Sequence, residues 1–501
     1  MAESTFKPSQ SSKKTIPLWG WGLIILLGIA VGFAAQSPFL ALAIVVGIIA
    51  MVSMAIMLIR PWYITYLLIM TFPFISTLPR DLLPIPIKMD ELLIIFGLIA
   101  FFISPAASKR WALTRIDLGF FLLVTAGTIF PIVGMLIRKT QPDWLEVIAL
   151  IKPFLLYRLV VMTIDSRYKL TRALILLLLP PILVSVIAPL QLLNIGEMQK
   201  ILAMIYYDSP AVQVLNRNIT GVSRLLRATS TLGNWNALGS YSTLAALLSF
   251  SLWRAKRTFQ PKNMPAISFG SSLGSLLLSG SSSSLVGFIT GGSVVFVNSL
   301  RGFRIRKHHV ISVILIFLFL LIMSLTVGRN VVLDQINRQS STYIYDRASE
   351  QYYPTHGIPA SVVTRWYLAE HLFGLMLNEK STMFFGFGRN EYSNSLLPWG
   401  TPESGYVGMI FFYGPLYLLV YLGFLFMLLR YSQLLRKKYF TEGGIRYAVA
   451  MAVGGMTVAM GLMNLIASYY SAAGTSHIFI ITSALMMGSV GNRKKMSKVY
   501  G

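Results

Sequence analysis

ALILLLLPPILVSVIAPLQLL (173–193) carries no charged residue. A helix crossing the hydrocarbon core of a bilayer needs ~20 mainly apolar residues, and this run supplies them. Comparable segments recur on both sides of it. With their boundaries they are 17–35, 38–59, 61–78, 90–106, 117–137, 145–164, 170–193, 234–253, 265–280, 282–300, 310–328, 405–429, 444–465 and 470–490. They predict an all-α polytopic membrane protein of about 14 transmembrane helices, within a range of about 12–14. Three segments are irregular. The stretch 61–78 has prolines near both ends and reads as breakable, 145–164 contains Lys152 and Arg158, and 265–280 is short.

Composition agrees. The chain of 501 residues is 55% hydrophobic and only 12% charged, with a mean hydropathy of +0.66. A soluble domain is about 25% charged. Too little polar surface remains for a water-soluble enzyme, a disordered chain or an ordinary nucleic-acid-binding domain. There is no cysteine, so disulfides and thiolate metal sites are excluded.

The net charge of +25 is a sidedness signal. Most of the basic excess sits in alternate loops: around Lys13–Lys14, Lys109–Arg115, Arg167–Arg172, Arg254–Lys262, Arg301–Lys307, Arg430–Arg446 and Arg493–Lys498. Cytoplasmic loops carry such an excess. Both termini are therefore expected in the cytoplasm, as a tail over 1–16 and a basic tail over 491–501 flanking a transmembrane domain over 17–490. The first segment follows basic residues but lacks a small-x-small cleavage site, so it reads as a true helix. Membrane lipids are expected partners of the basic face, and nucleic acid is not.

Two outer loops are long, 194–233 and 329–404, and long loops on a rigid scaffold are where chemistry collects. In the second, Val362, Val363, Trp366, Ala369, Leu372 and Phe373 suit a helix lying at the surface, and FGFGRNEY (385–392) reads as a turn. In the first, Arg224 and Arg227 stand three apart, on one face of any helix formed there. They either anchor to lipid phosphates or clamp an anionic ligand, and two guanidiniums at that spacing suit a diphosphate. Arg365 is either a solvated charge paired with Glu370 or part of such a clamp. Lys152 and Arg158 are intramembrane charges, hence functional candidates or snorkelling side chains. His477 suits a helix–helix hydrogen bond. SGSSSSLVGFITGG (279–292) has the small residues that let helices approach closely. No phosphate loop, H-E-x-x-H, G-x-S-x-G or zinc spacing is present, and neither a metal nor a cofactor is expected.

Four of these stretches resemble the O-antigen ligase/polymerase superfamily of bacterial inner-membrane proteins. RATSTLGNWNALGSY (227–241) resembles an arginine followed by an asparagine-bearing turn and a helix start, with Asn234 and Asn236 in the turn. LLLSGSSSSLVGF (276–288) resembles a T-x-S-R-G segment, with Ser282 in place of the arginine. TRWYLAEHLFGLMLNEKSTMFFGFGRNEY (364–392) resembles an R-x-x-x-W pattern followed by a G-x-G turn, with Trp366 here directly after Arg365. PESGYVGMIFFYG (402–414) resembles an H-N-x-Y-L segment in which Tyr406 and Gly414 keep the spacing and Glu403 replaces the histidine.

The resemblance implies a GT-C-like helical bundle with a long extracytoplasmic loop, in the bacterial inner membrane with its active site facing the periplasm. It implies a metal-independent glycosyltransferase moving glycan from an undecaprenyl-diphosphate-linked oligosaccharide to an acceptor glycan. A polymerase is favoured over a ligase because the histidine and the arginine are replaced. Arg224, Arg227 and Arg365 would bind the diphosphate and Glu403 would act with Arg365 in catalysis. Asn234, Asn236, Tyr406 and Arg389 would position donor and acceptor. A chain-length regulator or flippase of the same pathway is an implied partner. The alternatives are a transporter (a lipid-linked-sugar flippase or a small-anion, inorganic-carbon carrier) and a non-catalytic envelope subunit.

Overall fold

The computed structural model describes residues 58–79, 87–104, 115–140, 144–206, 227–255, 259, 261–300, 343–346, 351–354, 360–379, 382–388, 404–440, 444–469 and 474–488. The segments 17–35, 38–59 (apart from its last two residues) and 310–328 lie outside them. Helices occupy the remaining expected segments: α1 (Trp62–Ile75), α2 (Met89–Ile103), α3 (Arg115–Ile137), α4 (Trp144–Thr163), α5 (Arg167–Leu192), α7 (Trp235–Arg254), α8 (Met264–Ser279), α9 (Ser282–Leu300), α14 (Ile445–Ile466) and α15 (Thr475–Gly488). A short helix α6 (Met198–Ile205) follows α5. Tyr206 ends it by donating its phenol to the Phe74 carbonyl at 3.1 Å, and burial pushes that phenol up to about 12. The second long loop contributes α10 (Ala360–Asn378), α11 (Thr382–Phe385) and a two-stranded antiparallel ribbon, β1 (Tyr343–Asp346) against β2 (Gln351–Pro354). The ribbon adds a small β element to a helical, membrane-embedded architecture. Ile116–Ile137, Arg167–Leu192, Pro415–Lys438 and Ile445–Ile466 are each long and apolar enough to cross a membrane, among the described residues.

The expected single span 405–429 is corrected. It is two helices, α12 (Gly405–Tyr413) and α13 (Pro415–Lys438), broken at Gly414. Gly414 has φ +83°, which an L side chain rarely adopts, and Pro415 opens the next helix. α12 starts beside Asn464 of α14 and ends beside Phe384 and Gly386. Gly386 in turn packs on Gly134 of α3, so α12 runs across the bundle end and not through it. The expected break in 61–78 is absent: Pro61 precedes α1, and Pro73 is accommodated in its last turn.

The bundle has two chemically distinct ends. At the basic end Arg254 donates to the Ser299 carbonyl at 3.2 Å, Lys169 pairs with Asp165 at 2.9 Å, and Tyr447 donates to the Asn298 carbonyl at 3.0 Å. The α8–α9 junction, rich in serine, lies at the other end. α2, α4 and α15 run parallel: Asp90 meets Lys152 and His477, Gly97 packs on Leu159, and Gly488 packs on Ile164. α9 and α14 run antiparallel at very close approach. A Cβ on Gly291 would stand 2.6 Å from the Gly455 carbonyl oxygen, and one on Gly455 would stand 2.8 Å from the Gly291 carbonyl oxygen. Glycine is required there because the obstacle is backbone, which cannot swing aside.

Lys152 and Arg158 do not snorkel. Lys152 Nζ lies 3.0 Å from Asp90 Oδ2 and 3.7 Å from Glu91 Oε1. Asp90 Oδ2 also meets His477 Nε2 at 2.9 Å, the helix–helix hydrogen bond expected of that histidine. Arg158 Nη1 donates to Asp117 Oδ1 at 2.8 Å, with both groups buried. Charges inside an apolar bundle persist only when paired, and removing one partner costs about 3–5 kcal/mol.

Two stability predictions follow from these contacts. Gly291→Val should lower the melting temperature of the purified chain, since overpacking costs about 1–3 kcal/mol. Gly423→Ala, where a Cβ meets nothing within 4 Å, should leave it unchanged or raise it. Equal losses in both would refute the packing argument. Lys152→Met should be strongly destabilising, and Asp90→Asn in the same chain should restore part of the loss. A double-mutant cycle with no coupling would show that the pair is not stabilising as drawn.

Candidate functional site at the serine-rich end

The segment 227–234 enters the bundle as non-α backbone with one 3-10 turn, Ser230–Leu232, and is held by several elements. Gln191 of α5 accepts from the Thr229 and Ser230 amides at 2.9 and 2.8 Å, and donates to Thr229 Oγ1 at 2.8 Å. Ser230, with φ +48°, donates its hydroxyl to the Val184 carbonyl at 2.9 Å. Thr77 donates to the Thr231 carbonyl at 2.7 Å, and the Ala228 amide donates to the Leu278 carbonyl at 3.0 Å. At the start of this segment Arg227 is only 9% exposed, its guanidinium 5.8 Å from the centre of the Trp235 ring. Asn234 caps α7, its side-chain oxygen accepting from the Asn236 amide at 2.7 Å.

The serine run meets this segment. Ser281 donates to Asn236 Oδ1 at 3.2 Å and lies 2.8 Å from Ser284 Oγ and 3.1 Å from the Tyr469 hydroxyl. Tyr469 also contacts Ser283 and Ser284. Gly239 lets α7 approach, since a Cβ there would meet Ser279, Ser281 and Ser284 within 2.8 Å. Ser240 bonds Thr475 at the start of α15.

From Tyr469 the chain of contacts reaches α12. The Tyr469 amide donates to Asn464 Oδ1 at 2.9 Å, Asn464 Nδ2 donates to the Tyr421 hydroxyl at 2.9 Å, and Ser404 donates to the Asn464 carbonyl at 3.4 Å. Tyr406 donates to the Gly461 carbonyl at 2.6 Å, stapling α12 to α14. At the far end of α12 the break at Gly414 frees two carbonyls. The Phe387 and Gly388 amides donate to Phe411 and Phe412 oxygens at 2.7 and 2.8 Å. Of the glycine-rich turn expected over 385–392, the described part, 385–388, thus docks on the helix end, with Gly386 and Gly388 at φ +67° and +70°, and 389–392 lie outside the described residues. Arg138 clamps it, donating to the Gly386 carbonyl at 3.3 Å and to the Phe387 carbonyl, over the Phe387 ring and 3.8 Å from Glu379.

Of the sequence-predicted residues, Arg227, Asn234 and Asn236 come together, and the two motif stretches that contain them and the serine run are in direct contact. Tyr406 sits on the second pair of motif stretches, which also touch one another. Arg365 is half-buried on α10, which packs on α11, α12 and β1. Arg224, Arg389 and Glu403 lie outside the described residues. Sequence reasoning missed Gln191, Asn464, Tyr469 and Arg138. The signal for the first two was a lone amide inside an apolar segment.

No family model matches the chain, and no curated protein matches it.

Arg138→Gln should loosen the docked turn without unfolding the bundle. Hydrogen exchange at the Phe387 and Gly388 amides is expected to accelerate about tenfold, the equivalent of about 1.4 kcal/mol. Unchanged protection across 384–388 would remove Arg138 from this role.

Proposed function

We propose that the chain is a polyprenyl-diphosphate-glycan glycosyltransferase, a polysaccharide polymerase in preference to a ligase. In this reading fourteen spans lie in a bacterial inner membrane, both termini are cytoplasmic and the serine-rich end faces the periplasm. The observation that carries the reading is Arg227: a buried guanidinium beside the Trp235 ring, just before backbone that Gln191 pins, at the end of the bundle opposite the basic face. Such a fixed cation can stabilise negative charge without reorganising.

The acceptor hydroxyl oxygen attacks the anomeric carbon of the lipid-linked sugar. The bond from that carbon to the diphosphate oxygen breaks, and its electron pair passes to the diphosphate. Arg227, with Arg224 and Arg365, offsets the added charge. The hydroxyl proton passes to Glu403, the sequence neighbour of Ser404. Asn236 and the serine run offer hydrogen bonds suited to sugar hydroxyls, Tyr406 fixes α12, and Arg389 would help position donor or acceptor.

A second reading, an ion-coupled transporter, is favoured by one observation: the buried Asp90–Lys152–His477 network joins three parallel helices. Intramembrane ionisable groups mark proton and ion paths in transporters.

Purified chain incubated with undecaprenyl-diphosphate oligosaccharide should give longer glycans, with or without EDTA. Arg227→Ala should reduce the rate by about 10²–10³, the usual cost of removing one transition-state donor, while protein level and melting temperature stay close to the parent. No product from the parent, together with saturable uptake in proteoliposomes that Asp90→Asn abolishes, would replace this reading by the transporter.

A further inference from the structure

α10 divides its surface three ways. Leu368, Leu372 and Met376, four apart, are buried against the protein. Next round the helix come Phe373, Trp366 and Leu377, which are 42%, 71% and 63% exposed. Beyond them Glu370, Tyr367, Asn378 and His371 are also exposed, the tyrosine with its phenol among the polar groups. A helix between protein and water alone needs one apolar face. α10 has a second, and polar residues border it on the side away from the protein.

That second stripe does not stand alone. α11 follows directly with Met383 and Phe384 exposed, and Phe385 of α11 packs on Phe130 and Gly134 of α3. α3 is one of the helices apolar enough to cross a membrane, and its own outward residues Ile129, Leu136 and Ile137 are exposed. Exposed apolar residues thus occur on a membrane-crossing helix, on α11 packed against it, and on one side of α10, which precedes α11 in the chain.

We propose that α10 is seated in the lipid. Its Trp366–Phe373–Leu377 stripe lies at the boundary of headgroups and acyl chains in the leaflet around the end of α3, and its Glu370–His371–Asn378 edge faces water. The occupant is a phospholipid leaflet. Tryptophan is favoured at that depth because its ring is apolar while its N–H keeps a polar partner, and an interfacial helix needs a narrow apolar stripe beside a polar one. The long second loop is thereby held flat on the membrane over this stretch, whatever reaction the serine-rich end performs.

The chain contains no cysteine, so single labels can be introduced without background. Trp366→Cys, Phe373→Cys, Leu377→Cys, Glu370→Cys, His371→Cys and Asn378→Cys each replace an exposed side chain. The full chain, spin-labelled at one of these sites, is placed in nanodiscs of phosphatidylethanolamine and phosphatidylglycerol. Collision with oxygen, which concentrates in lipid, is compared with collision with a water-soluble nickel chelate. The expected result is oxygen preference at 366, 373 and 377 and nickel preference at 371 and 378, with 370 between them. Nickel preference at all six sites would overturn the proposal, because the stripe would face water. Low access to both reagents at 366, 373 and 377 would also overturn it, because protein (a second copy or another segment of the chain) would cover the stripe. Variants that keep the parent's melting temperature make either outcome decisive.

Discussion

The Gln191 carboxamide holds the serine-rich end in place. Thr229 and Ser230 bring two buried backbone N–H groups into an apolar bundle, and Ser230 does so with a left-handed φ. An unpartnered buried donor costs about 1–3 kcal/mol, and a left-handed L residue adds about 1–2 kcal/mol. One amide oxygen with two lone pairs satisfies both donors at once, and its nitrogen finds Thr229 Oγ1. Gln191 is itself fixed, since its carbonyl accepts from Gln199 at 2.9 Å just beyond the end of α5. Arg227 lies only two residues before this grip, so its burial beside Trp235 follows from a contact made by a different helix.

The helices were legible because burial in lipid demands long apolar runs, and such runs stand out in a composition with little charge. Asn234 was legible in place, as a polar residue at the mouth of a span, but its oxygen is used on the helix it caps. Gly414–Pro415 was also written in the sequence, as a glycine stop followed by a proline start. Hydropathy passes over it because both sides are equally apolar. The ion pairs were not legible. Lys152 finds Asp90 across 62 residues and His477 finds it across 387, and no local pattern encodes such a meeting. Asp90, in the first turn of α2, is fully buried.

The site was legible in its parts and not in its joints. Motif stretches 227–241 and 276–288 could be singled out separately, but their meeting depends on Gly239 and on the Tyr469 hydroxyl, neither of which those motifs mark as functional. Likewise 364–392 and 402–414 meet because a broken helix leaves two carbonyls without intrahelical partners. Helix ends inside an apolar bundle must borrow donors, and the nearest supply is the turn backbone at Phe387 and Gly388. The position of the turn is thus a consequence of the break at Gly414, with Arg138 satisfying the carbonyls that the turn exposes in its place.

The ionic network and the hydroxyl cluster share the first turn of α15. Thr475 bonds Ser240 of α7, and two residues on His477 bonds Asp90 of α2. Just before them Gly474, at φ +79°, packs its backbone on Leu232 of the pinned segment. Phe72 stacks on His477 and meets Tyr241 edge-on, so the aromatic layer ties the same two groups from the side of α1. A shift of α15 that broke the Asp90 contacts would drag Thr475 from Ser240 and uncover Leu232. Buried ion pairs add little net stability over a well-packed apolar core, and the use best attested for them is to fix register. Here the register they fix is that of α15 against α2 and α4, and through it the seat of the backbone that carries Arg227.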